Sequence, residues 1–148
     1  MSSEQHLPFA ITLEVRDTCL CLHLQRAARA VARRFDAALQ PLNLTSGQFS
    51  LLMSLNRTDP PSIGSVSALL ATDRTTLTAN LKPLERRGLV KVSIDDADKR
   101  TRRLKLTPAG RALLVAATPI WRQTHAIVEN FLPRANSDEL RVDLRALS

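Results

Sequence analysis

Between Leu89 and Leu106 the spacing of apolar residues changes. "LVKVSI" alternates, with Val90, Val92 and Ile94 on one side, and "TRRLKL" alternates back with Leu104 and Leu106. A period of two belongs to a half-buried strand. The link between the runs, "DDADKR", is acidic and then basic, and such a pair of runs about a short polar link predicts a β-hairpin. The flanking segments carry the helical period instead. The fold class expected is therefore mainly α with a small β-hairpin, and a chain of 148 residues that is 44% hydrophobic suffices for one core.

From Thr18 to Leu39 the apolar residues Leu20, Leu24, Ala28, Val31, Phe35 and Leu39 predict one long helix. Its first turns, "CLCLHL", are apolar almost all round, and such a helix has to be covered on every side; a second subunit is the expected cover. Thr45 with Gln48 forms a capping-box pair that opens a helix through about Leu55. The prolines of "RTDPPS" read as a loop, and Ser62 caps "IGSVSALLA". In "RTTLTANLKPLERRG" the stripe Leu77, Leu81 and Leu84 is the buried face, and Gly88 is the stop. Pro83 is expected to bend the distal part of that helix. Thr107 caps the next helix with Pro108 in its first position and Pro119 as an expected kink. Ser137, with Asp138 and Glu139, opens a last short helix. This order describes a single domain, 1–148. A winged helix-turn-helix occupies 45–107, with dimerisation helices at 17–40 and 108–148.

A net charge of +7 favours a polyanionic partner. Opposite the leucine stripe lie Thr75, Ala79, Lys82 and Arg86, flanked by Thr76, with Arg74 and Thr78 close by. Short side chains let a backbone approach base edges, and threonine can offer a hydroxyl or a methyl there. Lys82 and Arg86 suit phosphates. An ordinary solvated helix face would look the same, and the hairpin decides between the two. Lys99, Arg100, Arg102, Arg103 and Lys105 all lie on or beside it. Asp98 is expected to hold the Arg100 guanidinium extended, aimed at a narrow A·T-rich minor groove. Asp95 and Asp96 read as turn residues.

"DADKRTRRLKLTPAG" resembles the wing signature of the MarR (multiple antibiotic resistance regulator) family. That signature is an Asp-x-Arg, then a strand ending in Leu-Thr, then a Gly three residues on. Asp98, Arg100, Leu106, Thr107 and Gly110 fill those places. "DRTTLTANLKPLERRGLV" is similar to the family's recognition helix, and the likeness spans roughly Thr18 to Leu132. The resemblance implies a homodimer on pseudo-palindromic double-stranded DNA, usually a repressor, with no cofactor. It implies release by a small phenolic or carboxylate effector, or by an oxidant, with the first helix contributing to the effector pocket.

Cys19, Cys21 and His23 alternate, which invites a metal reading, but on one helix Cys21 points away from the other two. A disulfide between residues two apart on a helix is also poor geometry. The organic-peroxide sensors of the same family carry a reactive cysteine near the start of the first helix, and the spacing of Cys21 from Thr45 is similar to theirs. Their tyrosines are missing, with Phe35 and Ser46 standing where two are expected. Buried small hydrophobes at a subunit interface are the plainer reading of both cysteines, and a redox role is the alternative. Trp121 and His125 are expected in the core or interface.

Three scattered histidines and four glycines offer no phosphate loop or nucleophile motif, which argues against an enzyme. An aromatic content of 3% without tyrosine argues against single-strand stacking platforms. A non-specific architectural DNA-binding protein would share the basic wing. No run approaches about 18 apolar residues and no basic, then apolar, leader opens the chain. The expected site is the cytoplasm, where thiols stay reduced.

Overall fold

The computed structural model describes residues 6–134 and 136–148. The first five residues of the stretch tested for a leader lie outside it. Helices α1 (Phe9–Thr18) and α2 (Leu20–Leu39) lead through a 3-10 turn, Gln40–Leu42, into α3 (Ser46–Ser54), α4 (Ile63–Leu69) and α5 (Arg74–Arg86). Strands β1 (Val90–Ile94) and β2 (Arg102–Leu106) follow, then α6 (Pro108–Glu129) and α7 (Ser137–Ala146). The mainly helical fold with one hairpin is as the periodicities predict.

The long helix expected over Thr18 to Leu39 is α2, which begins at Leu20, and a further helix, α1, precedes it. Cys19 adopts an extended conformation, φ −65° and ψ 109°, and its Sγ accepts the Leu22 N–H as the N-cap of α2. Thr18 Oγ1 donates to Glu14 O at 2.7 Å and closes α1. Helix α1 escaped the periodicity argument because Ile11, Thr12, Val15 and Thr18 are β-branched and its apolar residues mark no single face. None of its residues is buried.

The caps fall largely where expected. Thr45 and Gln48 bond reciprocally, Ser62 Oγ accepts from Ser65 N–H, and Thr107 Oγ1 accepts from Gly110 N–H. The last helix opens at Ser137 with Asp138 and Glu139 in its first turn, as expected, and Asn136 is its N-cap, with Oδ1 accepting from Asp138 N–H at 3.0 Å. Helix α5 continues through Pro83 and α6 through Pro119 without interruption. The carbonyls those prolines cannot engage belong to the exposed Ala79 and Val115, where an unpaired carbonyl costs little.

Three left-handed residues terminate helices by the same device. Gly88 (φ 71°) follows α5, with its N–H on Glu85 O and that of Leu89 on Leu84 O, both at 3.0 Å. Asn43 (φ 53°) follows the 3-10 turn and Ala71 (φ 48°) follows α4, each with the matching pair of bonds. This is the Schellman arrangement, and alanine is the poor choice among the three because its Cβ crowds the backbone there.

One core holds the lobe together. Leu39, Leu44, Phe49, Leu51, Leu52 and Leu55 meet Val66, then Leu77, Leu81 and Leu84 of α5. The hairpin adds Leu89, Val90, Leu104 and Leu106, and α6 adds Leu114 and Ala117. Strands β1 and β2 pair antiparallel, Val90 opposite Leu106 and Val92 opposite Leu104, while Ile94 at the far end is 56% exposed. The proline loop does more than connect. Pro61 O accepts from Leu104 N–H at 2.9 Å and Ser62 bridges Arg103, so this segment lies along the free edge of β2. Gly110 seats α6 directly on the base of the hairpin, since a Cβ there would lie 2.2 Å from Leu89 O. Trp121 stacks between Phe49 of α3 and His125, with ring centroids 6.3 and 4.8 Å apart.

Candidate nucleic-acid interface

Burying Leu77, Leu81 and Leu84 turns the opposite side of α5 outward. Arg74, Thr75, Thr76, Ala79, Lys82 and Arg86 are all exposed and Thr78 is half-buried, as the stripe requires. Two fixtures hold this helix. At its start the Asp73 carboxylate accepts Thr76 N–H at 2.8 Å and the Thr76 hydroxyl at 2.9 Å. These bonds hold the Asp73 carboxyl below its ordinary value, first through the Thr76 amide and then its hydroxyl. At its end Arg87 donates to Asn43 O (2.6 Å) and Leu42 O (3.1 Å), tying it to the turn before α3. Arg87 is thus a structural cation.

The hairpin tip is built by its acids, though not in the manner expected. Asp98 does not hold the Arg100 guanidinium. Its Oδ1 accepts the Arg100 backbone N–H at 3.0 Å, and its Oδ2 accepts the Thr101 hydroxyl at 3.2 Å. A carboxylate two residues back reaches a main-chain amide more readily than the end of an arginine. Asp95 is more than a turn residue: it pairs with Arg103 at 3.1 Å. That bond, ahead of the Ala97 amide, holds the Asp95 carboxyl below its ordinary value. Arg103 is therefore turned back into the wing. Arg102 donates to Lys99 O at 3.1 Å, and among the described residues Lys99 and Arg100 have no acidic partner.

Arg74, Arg100 and Arg102 converge on a cleft of about 140 Å³ between the start of α4 and β2, with Ser62 and Gly64 as its floor. Sequence reasoning placed Arg74 with the base-reading threonines. Arg74 lines the exposed face of α5 with Thr75, Thr78, Ala79 and Lys82, and its guanidinium reaches toward Gly64, where an added Cβ would come within 3.3 Å of Nη2. Arg102 was read only as part of the basic wing, and Asp73, the N-cap of α5, was not singled out. Hairpin register would also have exposed Lys91 opposite Lys105, both solvent-facing. Like charges directly opposite each other oppose sheet formation, so this pair adds nothing to the stability of the hairpin.

Cys19 sits half-buried in the break between α1 and α2, and Cys21, two residues on, is exposed. Gln25 Nε2 donates to Cys21 Sγ at 3.4 Å. His23 Nδ1 lies 2.7 Å from Cys19 O, facing its own backbone. No cluster of three metal-ligating side chains occurs among the described residues. No helix among them is long and apolar enough to cross a membrane.

Residues 44–101, the span from the turn before α3 to the hairpin tip, match the MarR family model. The transcriptional regulator HosA of Escherichia coli is 35% identical over 99 residues, 66% of this chain and 70% of that protein. The transcriptional regulator MosR of Mycobacterium tuberculosis, in complex with DNA, superimposes with a TM-score of 0.79 at 36% identity over 88% of this chain and 93% of that one. BpsR of Bordetella bronchiseptica, whose DNA binding is regulated by 6-hydroxynicotinic acid, gives 0.74 at 28% identity over 86% and 91%. The chain belongs to the MarR family of winged-helix transcriptional regulators.

Proposed function

We propose that the protein is a sequence-specific regulator of transcription that binds double-stranded DNA as a homodimer, most simply as a cytoplasmic repressor. The observation that carries this reading is a single face built from two elements. Thr75, Thr76 and Lys82 of α5 present short polar and basic groups, and Arg100, Arg102, Lys91 and Lys105 of the wing present cations that have no acidic partner among the described residues. The threonines suit base edges in a major groove. Lys82 and Arg86 suit phosphates, and Arg100 at the wing tip suits the adjoining minor groove. Two such faces about one helical turn apart would read a pseudo-palindromic operator.

The dimer reading draws support from the outer helices. Neither α1 nor α7 contains a buried residue. Between α2, α6 and α7 runs a groove of about 460 Å³ walled by Leu24, Ala28, Val31, Leu132, Leu140 and Leu144. A surface this apolar on a small chain suits a second subunit. Release by a small phenolic or carboxylate effector is supported by the aromatic acid that regulates BpsR.

Competition binding tests the reading. With genomic fragments selected on the protein, the chosen duplex should outcompete random duplex by about a thousandfold or more at fixed salt. Equal competition would mark a non-specific architectural protein instead. Arg100→Ala should weaken binding by about 1–3 kcal/mol.

A second reading, oxidant sensing, is favoured by one observation. Cys19 lies in a backbone break, so the objection to pairing two cysteines within one helix does not hold here. A hydroperoxide would oxidise the two thiols to a disulfide, itself leaving as alcohol and water, at the cost of the cap that Cys19 supplies to Leu22. Peroxide should then abolish DNA binding by the native protein and leave Cys21→Ser unaffected. Unaltered binding by the native protein would end this reading.

A further inference from the structure

We infer that Asp73 and Thr76 form an acceptor-only reader at the start of α5, selecting a base that presents an exocyclic amine in the major groove, cytosine N4 or adenine N6. The inference rests on the DNA-binding reading above and concerns what one part of that face can recognise.

The argument is a count of protons. A threonine hydroxyl has one proton to donate and two lone pairs with which to accept. Thr76 Oγ1 lies 2.9 Å from Asp73 Oδ2, and the other carboxylate oxygen accepts Thr76 N–H at 2.8 Å. A carboxylate at neutral pH has no proton, so the hydroxyl is the donor. Both Thr76 donors, amide and hydroxyl, are thus spent on Asp73. A charge-assisted bond of this kind is about twice as strong as a neutral one, and a base carbonyl offered in exchange would not take the proton away.

What remains outward on the exposed Thr76 side chain is oxygen lone pairs and a methyl group. Beside them stands the Asp73 carboxylate, also exposed and also without a donor. Guanine shows N7 and O6 to the major groove and thymine shows O4, all acceptors. Placed against Asp73 and Thr76, these atoms would meet only acceptors, leaving thymine just its methyl to pack on that of Thr76. Cytosine and adenine show an amine there and would bond. Of the neighbouring donors, the Arg74 guanidinium reaches toward Gly64, and Thr75 projects about 100° round the helix from Thr76. Threonine in a recognition helix is usually free to donate or accept. Here the cap has removed half of that choice.

The test is selection of bound duplexes from a fully random library, read by sequencing, for the native protein and three variants. The native protein should show a half-site position favouring cytosine or adenine by roughly tenfold. Thr76→Ser keeps the oxygen and should keep that preference, while Thr76→Val keeps the methyl and loses the oxygen and should flatten it. Asp73→Ser retains a capping oxygen for the Thr76 amide but releases the hydroxyl proton, and should admit guanine or thymine at that position. Thermal melting of each variant checks that the fold is intact. A Thr76→Val profile identical to that of the native protein would overturn the inference and show a methyl contact instead, while DNA binding itself would stand. A native selection with no enriched sequence would remove both.

Discussion

Replacing Gly110 with alanine would drive a methyl carbon into the joint between α6 and the wing. The new Cβ would lie 2.2 Å from Leu89 O and 2.7 Å from Leu106 Cδ1. Carbon and carbonyl oxygen ordinarily meet at about 3.3 Å or more, so roughly an ångström must open between helix and strand. The Leu106 methyl can swing aside, but the Leu89 carbonyl is main chain and accepts Thr107 N–H at 3.1 Å. Beside it, Thr107 Oγ1 donates to Gly88 O at 2.6 Å, so the movement stretches two hydrogen bonds. Overpacking costs about 1–3 kcal/mol and each weakened bond adds up to about 1 kcal/mol. Alanine's better helix propensity returns at most about 1 kcal/mol. A net loss of about 2–3 kcal/mol follows. In urea, followed by far-UV circular dichroism at one protein concentration, the midpoint should fall by about 1 M for a slope near 2 kcal/mol/M. The same displacement should also weaken DNA binding, because it tilts the wing. A midpoint within about 0.2 M of the native protein would refute this account of the joint.

Ala71→Gly should stabilise the protein by about 0.5–1 kcal/mol, since relief of a left-handed alanine outweighs the extra freedom glycine brings to the unfolded chain; a lower urea midpoint would contradict this. Asp95 titrates below its ordinary value of 3.8 because Arg103 bonds its charged form. A depressed carboxyl stabilises above the unfolded value and loses that contribution as pH falls through the folded one. Carbon-13 titration should therefore show the Asp95 midpoint returning toward 3.8 in Arg103→Gln. Phe9→Asp, at a side chain 71% exposed within one chain, should raise the dimer dissociation constant at least tenfold by sedimentation if α1 lies in the subunit interface.

Much of the fold was legible because several signals agreed at the same residues. Thr45 with Gln48, the Leu77/Leu81/Leu84 stripe ending at Gly88, and the alternation of Val90 to Leu106 each coupled a local preference to the burial it required. Helix α1 was hidden because β-branched residues lower helical propensity and no single apolar face declares it. The roles of Asp95, Asp98 and Arg103 were hidden for another reason. Which acid meets which cation in a tight turn depends on side-chain reach, and the seven charged residues from Asp95 to Arg103 admit many pairings. The approach of the Arg74 guanidinium to Gly64 was hidden because it exists only once α4 and α5 have packed.

Cys19 alone joins α1 to α2. Two consecutive helices lying side by side need a connection of about two to five residues. Helix α1 therefore cannot double back along Leu24 to Val31, the oily stretch nearest to it. In the proposed pair that stretch is shielded by the sister chain, and shielding becomes a bimolecular event. Dilution then exposes it and abundance hides it, so cellular copy number enters the regulatory response alongside any effector.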